Sequence, residues 1–225
     1  MVTKESIIIN NKSCFLYESE KPTSILIQAI DKHDLDVLDN EVTKIRELSN
    51  EKFSLLAFLV DSWNNDLSPW VAPAVFGNEN FGGKADKTLE YIENDLLPYL
   101  KEKFGSDKKL YIGGYSLSAL FALWSCYNTD IFDGVVAASP SIWFPGFIKY
   151  AKENDIKVNK IYLSLGDSEE KTKNKIMSTV GDNIREYYDM LRKDATNNVI
   201  LEWNEGNHFM DSDLRTAKGF AWIIN

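Results

Sequence analysis

Six short apolar runs recur along the chain, at 24–30 (SILIQAI), 54–60 (SLLAFLV), 109–112 (KLYI), 134–138 (GVVAA), 160–165 (KIYLSL) and 198–203 (NVILEW). Continuous apolar runs of this length suit strands covered on both faces, as in a parallel sheet. Between them the apolar period lengthens to three or four residues. Leu38, Val42, Ile45 and Leu48 form one helical stripe, and Leu89, Ile92, Leu96 and Leu100 form another over 86–103, where Pro98 is expected to bend the helix. The run 118–127 (SALFALWSCY) is apolar nearly all round and predicts a buried helix. Ile176, Val180, Ile184, Tyr187 and Leu191 predict a long helix over 172–193, although Gly181 interrupts it. A last helix over 212–224 follows an Asp-Ser-Asp cluster that offers capping side chains. At the N-terminus, ESIII and SCFLYE flank a turn-like NNK and predict an antiparallel start. Strands alternating with helices in this way predict an α/β fold, with a mostly parallel central sheet and helices on both faces.

The 225 residues fit one domain, 1–225, and no repeat, low-complexity tract or linker divides them. The net charge of −9 gives no electrostatic footprint for nucleic acid or an anionic membrane. No apolar stretch reaches bilayer length, and Asn10, Asn11 and Lys12 break the N-terminal apolar run where a signal peptide would need continuity. The expectation is therefore a cytoplasmic protein with neither membrane nor nucleic-acid partner. Cys14 and Cys126 are too few for a disulfide framework, and Cys126 sits in the apolar helix as a small hydrophobe. The largest aperiodic stretch, 61–85, carries Trp63, Trp70, Phe76 and Phe81. Loops of that length in compact α/β domains are often functional; the alternative is a packed surface loop anchored by its aromatics.

The sharpest chemical signal is KKLYIGGYSLSALFALWS, residues 108–125. An apolar strand runs into Gly114-Tyr115-Ser116-Leu117-Ser118, and an apolar helix begins at once. A strand-to-helix reversal this sharp needs small residues two before and two after the serine, and it lifts the hydroxyl above the sheet edge beside helix N–H groups. Gly114 meets the first requirement and Ser118 stands in for the second glycine. Ser118 is the poorer nucleophile, because Ser116 and Leu120 flank it at the same spacing. The alternative is a glycine-rich turn in which Ser116 or Ser118 only caps the helix.

A serine nucleophile needs a base, and the chain has only His33 and His208. His208, in WNEGNHFMDSD, lies beyond the last strand and before the last helix, where the order serine, acid, histidine requires it. The acid should follow the penultimate strand, in IYLSLGDSEEKTKNK, which offers Asp167, Glu169 and Glu170. Glu169 is preferred because a turn after Gly166 often brings the third following residue inward; Asp167 is the alternative, and Asp211 is a late outsider for the acid, read first as a cap for the last helix.

Together YIGGYSLSALFAL, NNDLSPW, VVAASPSIWF, LSLGDSEEKTKN and the GNH around His208 resemble the α/β-hydrolase superfamily, and among its members the esterases related to esterase D and the enterochelin esterases. The resemblance spans roughly residues 24–220. It implies an α/β-hydrolase fold with no large cap domain, and a serine esterase that takes a small-molecule carboxylic ester without metal or organic cofactor. In it Ser116 is the nucleophile, His208 the base and Glu169 or a neighbour the acid. The backbone N–H of Leu117 is the first oxyanion donor. The loop after the first central strand, QAIDKHD, lacks the glycine of many relatives, so Asp31 or Lys32 has to present the second donor. The pocket walls are expected to include Trp143 and Phe144, with Trp63 and Trp70, or else these aromatics pack the loops against the sheet. Two readings stand beside the esterase: a catalytically silent binding protein on the same fold, and an acyltransferase using the same triad. The chain has no GxGxxG, GxxxxGK[ST] or HExxH, which argues against dinucleotide, P-loop and zinc-hydrolase chemistry.

Overall fold

The computed structural model describes residues 3–225. Strands β1 (Thr3–Ile9) and β2 (Lys12–Glu18) pair antiparallel across a turn in which Asn10 and Asn11 both take positive φ. Asparagine tolerates that conformation, which a two-residue hairpin requires. Strand β3 (Ser24–Ile30), helix α1 (Leu35–Leu48) and strand β4 (Phe53–Leu59) follow. The aperiodic 61–85 stretch folds into a one-turn helix α2 (Trp63–Asp66) and a two-residue ladder of β5 (Val71–Ala72) with β6 (Phe81–Gly82).

Helices α3 (Ala85–Tyr91) and α4 (Leu97–Phe104) are joined by a π turn over Ile92–Leu96. The turn ends where Pro98, at the start of α4, removes a backbone donor, so the expected perturbation takes the form of a widened turn. The order then runs β7 (Lys109–Tyr115), α5 (Ser116–Asn128), β8 (Gly134–Ala138), α6 (Phe147–Glu153), β9 (Lys160–Gly166), α7 (Val180–Leu191), β10 (Asn198–Asn204) and α8 (Ser212–Ile224).

Eight strands form one sheet in the order β1-β2-β4-β3-β7-β8-β9-β10. The first two pairings, β1 with β2 and β2 with β4, are antiparallel; the remaining five are parallel. Both faces are covered. Leu38, Val42 and Ile45 of α1 and Ala217, Phe220 and Ile223 of α8 pack on Leu26, Leu55 and Val136. On the other face, Leu89, Leu96, Phe121 and Ile184 pack on Ile27, Leu56, Ile112 and Leu163. This is the α/β-hydrolase fold, and no large cap domain interrupts it among the described residues. None of their helices is long and apolar enough to cross a membrane.

Helix α8 sits close to the sheet because glycines allow it. A Cβ on Gly113 would lie 2.7 Å from the Phe220 ring, and one on Gly219 would lie 2.3 Å from Val136. Phe220 is fully buried at that contact. Phe220→Ala is expected to cost about 3–5 kcal/mol, since the close-packed backbone limits collapse into the cavity. Urea unfolding of the two proteins measures it.

Two expectations need correction. The helix predicted over 172–193 begins only at Val180, after 3₁₀ turns at Glu169–Lys171 and Met177–Thr179. Asn174 bounds the helical turns on their N-terminal side: its Oδ1 accepts the N–H groups of Ile176 (3.0 Å) and Met177 (3.2 Å), and its Nδ2 donates to Val75 O (2.6 Å). Local side-chain bonds of this kind compete with helical ones, and Ile176 is left exposed rather than in the stripe. At α8 the Asp-Ser-Asp cluster supplies no side-chain cap; Asp211 instead adopts positive φ at the helix entry.

Candidate active site

The reversal from β7 into α5 has the geometry its sequence requires. Ser116 has φ 58°, a strained value for a residue with a Cβ, at the first position of the helix. Gly114 is indispensable here, because its Cβ would lie 2.2 Å from the Ser118 hydroxyl. That hydroxyl donates to Ala29 O at the end of β3 (2.7 Å), which explains why serine serves where glycine is usual. It fills the gap and ties the elbow to the neighbouring strand. Ser118 is buried and spent on this bond, whereas Ser116 stands half-buried at the sheet edge.

His208 follows β10 and brings its ring over the elbow. Its Nε2 lies 3.0 Å from Ser116 Oγ, and its Nδ1 lies 2.7 Å from Glu169 Oε2. A carboxylate only accepts hydrogen bonds, so Nδ1 carries the proton and Nε2 is left to accept from the serine. The Tyr115 ring packs 5.2 Å from the imidazole, and its hydroxyl donates to His208 O (2.9 Å), fixing the loop from below.

Glu169 is 4% exposed at its side chain. Its second oxygen, Oε1, accepts from Ser139 Oγ (2.7 Å), Gly166 N (2.8 Å) and Arg215 Nη1 (3.0 Å). Burial pushes the Glu169 carboxyl up, but the histidine, serine and backbone donors outweigh it and hold the group below the usual carboxylate range. Gly166 makes room for this cluster: a Cβ there would lie 2.4 Å from Gly206 O and 2.9 Å from the Arg215 guanidinium.

Asp167 points elsewhere. It is exposed, and its Oδ1 accepts from Gly206 N (3.1 Å) and Ser168 Oγ (2.9 Å), clamping the loop that leads to His208. Glu170 pairs with Arg185, and Asp211 enters α8. His33 is exposed after β3, and its backbone N–H donates to Asp31 Oδ1 (2.7 Å).

β3 pairs with β7 as far as Gln28 opposite Gly113, and Asp31 and Lys32 follow in the loop just beyond the end of β3. The Asp31 N–H donates to Asp34 Oδ2 (2.9 Å), so it is already engaged. Burial lifts the Asp34 carboxyl to about 6. Leu117 lies in the first turn of α5, where backbone N–H groups have no intrahelical acceptor.

A cleft of about 280 Å³ opens beside the histidine, walled by Trp143, Met177, Val180 and Phe209 with Lys171 and Thr172 at its polar side. Of the four aromatics expected to line a pocket, only Trp143 lines this one. Phe144 is buried against Phe81, Trp70 packs on Phe144 and Tyr150 and donates its indole N–H to Pro145 O (2.9 Å), and Trp63 packs against the core. These three anchor the 61–85 loop. The sequence reading did not single out Tyr115, Ser139, Ser141 or Arg215. Ser141 Oγ lies 3.3 Å from Ser116 Oγ, and its motif, SPSIWF, was visible without its role being so. Among the described residues, no group of three or more His, Cys, Asp or Glu side chains gathers as a metal site.

Residues 60–208 match the family model described as "Putative esterase". No relative among curated proteins matches the sequence. Among solved structures, the chain is similar to an IroE-like serine hydrolase from Shewanella oneidensis, with a TM-score of 0.79 and 15% identity over 99% of this chain and 79% of that one. It is also similar to the siderophore hydrolase EstA from Aspergillus nidulans, with a TM-score of 0.74 and 19% identity over 100% and 94% of the two chains. The siderophore hydrolase EstB from the same organism gives a TM-score of 0.72 and 16% identity over 98% and 93%. At these identities the likeness is one of fold.

Proposed function

The chain belongs to this esterase family of the α/β-hydrolase superfamily, and on that premise we propose that it hydrolyses a carboxylic ester through an acyl-enzyme on Ser116, with His208 as base and Glu169 as acid. The observation that carries this reading is the unbroken contact from Ser116 Oγ to His208 Nε2, and from His208 Nδ1 to Glu169.

In the first half-reaction the Ser116 proton passes to His208 Nε2 as Oγ attacks the ester carbonyl. Glu169 steadies the imidazolium that forms. The oxyanion is held by the N–H of Leu117 and, since that of Asp31 is engaged by Asp34, by the N–H of Lys32. His208 returns the proton to the leaving alcohol oxygen as the carbon–oxygen bond breaks. Water, deprotonated by the same nitrogen, then adds to the acyl carbonyl; collapse releases the carboxylic acid and restores the Ser116 hydroxyl.

The cleft's apolar wall of Trp143, Met177 and Phe209 suits an apolar acyl or alcohol group. Two of the relatives are named as siderophore hydrolases, so siderophore esters belong in a substrate panel beside short aryl esters.

A fluorophosphonate probe tests the nucleophile. Intact-mass and peptide analysis should find one adduct, on Ser116, and none on Ser116→Ala protein. Labelling that persists in the variant moves the nucleophile elsewhere. Complete inertness to the probe favours the silent binding protein, and turnover that needs an added alcohol or amine favours the acyltransferase.

A further inference from the structure

Arg215 is the most deeply buried charged side chain near the site, at 1% exposure, and the reaction outlined above leaves it without a role. Arginine is almost never fully buried unless paired, so its surroundings need an account. The guanidinium enters from α8 and reaches the ends of four strands. Nη1 lies within hydrogen-bond distance of Glu169 Oε1 (3.0 Å, after β9), Tyr115 OH (3.1 Å, end of β7) and Ser139 Oγ (3.2 Å, after β8). Nη2 donates to Glu205 O (2.9 Å), just beyond β10 on the segment that carries His208.

The groups it touches either bear on the histidine or hold its acid. Glu169 holds Nδ1 and Tyr115 holds the His208 carbonyl, while Ser139 itself donates to Glu169 Oε1. With Oε1 tied down by three donors, the carboxylate has one rotation left, and it aims Oε2 at the imidazole. The backbone is arranged around the same contact, since any side chain at Gly166 would strike the guanidinium.

Resting on the assignment of Ser116, His208 and Glu169 made above, we propose that Arg215 is a positioning residue for the acid: it pins Glu169 so that the carboxylate fixes the tautomer and orientation of His208. A fixed fork of N–H donors suits this task better than a single ammonium. Arg215 touches neither Ser116 nor the His208 ring, so it acts through its partners; the Tyr115 and Glu205 contacts hold the same loop, and the main route to the imidazole runs through Glu169. That routing is what separates it from a purely structural ion pair.

The test uses Arg215→Met and Arg215→Lys, each alone and combined with Glu169→Gln, assayed on p-nitrophenyl acetate and by the rate of fluorophosphonate labelling. Arg215→Met should lower kcat by about 10–100-fold, by analogy with the outer partners that orient metal-ligating histidines and carboxylates. KM should change by less than about twofold, because ground-state binding is untouched. Arg215→Lys should fall between wild type and Arg215→Met. In the Glu169→Gln background the further loss on Arg215→Met should be under about twofold, since the route is already cut. Should Arg215→Met fail to give a cooperative thermal transition, Arg215→Lys and the double variant, which removes both buried charges, carry the same comparison.

Losses that multiply in the double variant, a rise in KM with kcat unchanged, or labelling of Arg215→Met at the wild-type rate would each overturn the role. If wild-type protein is not labelled on Ser116, the assignment beneath the proposal fails, and the proposal with it. Labelled wild type with an unaffected Arg215→Met removes the proposal alone.

Discussion

His208→Ala and Ser116→Ala are each expected to lower kcat on a short aryl ester by about 10⁴–10⁶-fold, and the double substitution should be no worse than either single one. The reason lies in the contact between them. At 3.0 Å, Nε2 is the only ring nitrogen free to accept the Ser116 proton, because Nδ1 is committed to Glu169 at 2.7 Å. Without the imidazole the hydroxyl keeps its proton; without the hydroxyl the imidazole has nothing to activate at the elbow. The two act as one unit, so the costs do not add. Steady-state kinetics on the three variants measure this, with circular dichroism to verify folding. Losses that multiply in the double variant would mean that the two residues act independently.

Glu169→Gln is expected to lower kcat by about 10³–10⁴-fold, and Asp167→Asn by less than about tenfold. The first figure follows from how the acid is held. Ser139, Gly166 and Arg215 all present donors to the Oε1 position. A glutamine there must leave its carbonyl oxygen facing those donors and turn its NH₂ towards His208 Nδ1. The imidazole then has to accept at Nδ1 and carry its proton on Nε2, the tautomer that cannot take a proton from Ser116. Asp167, by contrast, is exposed and accepts the Gly206 N–H. An asparagine oxygen accepts that bond almost as well. Turnover numbers for the two variants at neutral pH decide the matter, and the reverse ranking would transfer the acid role to Asp167.

The departures from the expected elbow have one explanation in common. Ser118 in place of glycine, and a glycine-free loop after β3, lie next to each other: the Ser118 hydroxyl donates to Ala29 O, two residues before Asp31. The elbow and the loop are therefore joined by a side-chain bond. Asp34 closes the other end by accepting the Asp31 N–H.

The sequence alone was enough for the order of the main elements, because each of the six central strands is a continuous apolar run and each main helix has its own stripe. Those signals come from burial on the sheet's two faces, so they survive in one dimension. The elbow was legible for a similar reason: the Gly114–Ser116–Ser118 spacing reflects a local steric demand between residues close in the chain. Where local signals competed, the reading erred. The period through Ile176 placed a helix upstream of Val180, where Asn174 caps only short turns, and the seven residues of α6 were too few to show a period. The chain order also narrowed the candidate base to His208 and the candidate acid to the turn after β9.

Only the tertiary structure decided which carboxylate faces the ring. Asp167 and Glu169 are two residues apart with the same chemistry, and the choice rests on the room left by Gly166 and on donors contributed by β8 and α8. It also decided that Trp70 and Phe144 pack the loop while Trp143 lines the cleft, since an aromatic side chain carries no mark of which way it points. Arg215 is the clearest case. It sits 46 residues from Glu169 in a helix whose other buried positions are mostly apolar, and a lone arginine in such a stripe reads as surface. Its role follows from a charge taken out of water and paired, and pairing between distant segments leaves no periodic trace in the chain.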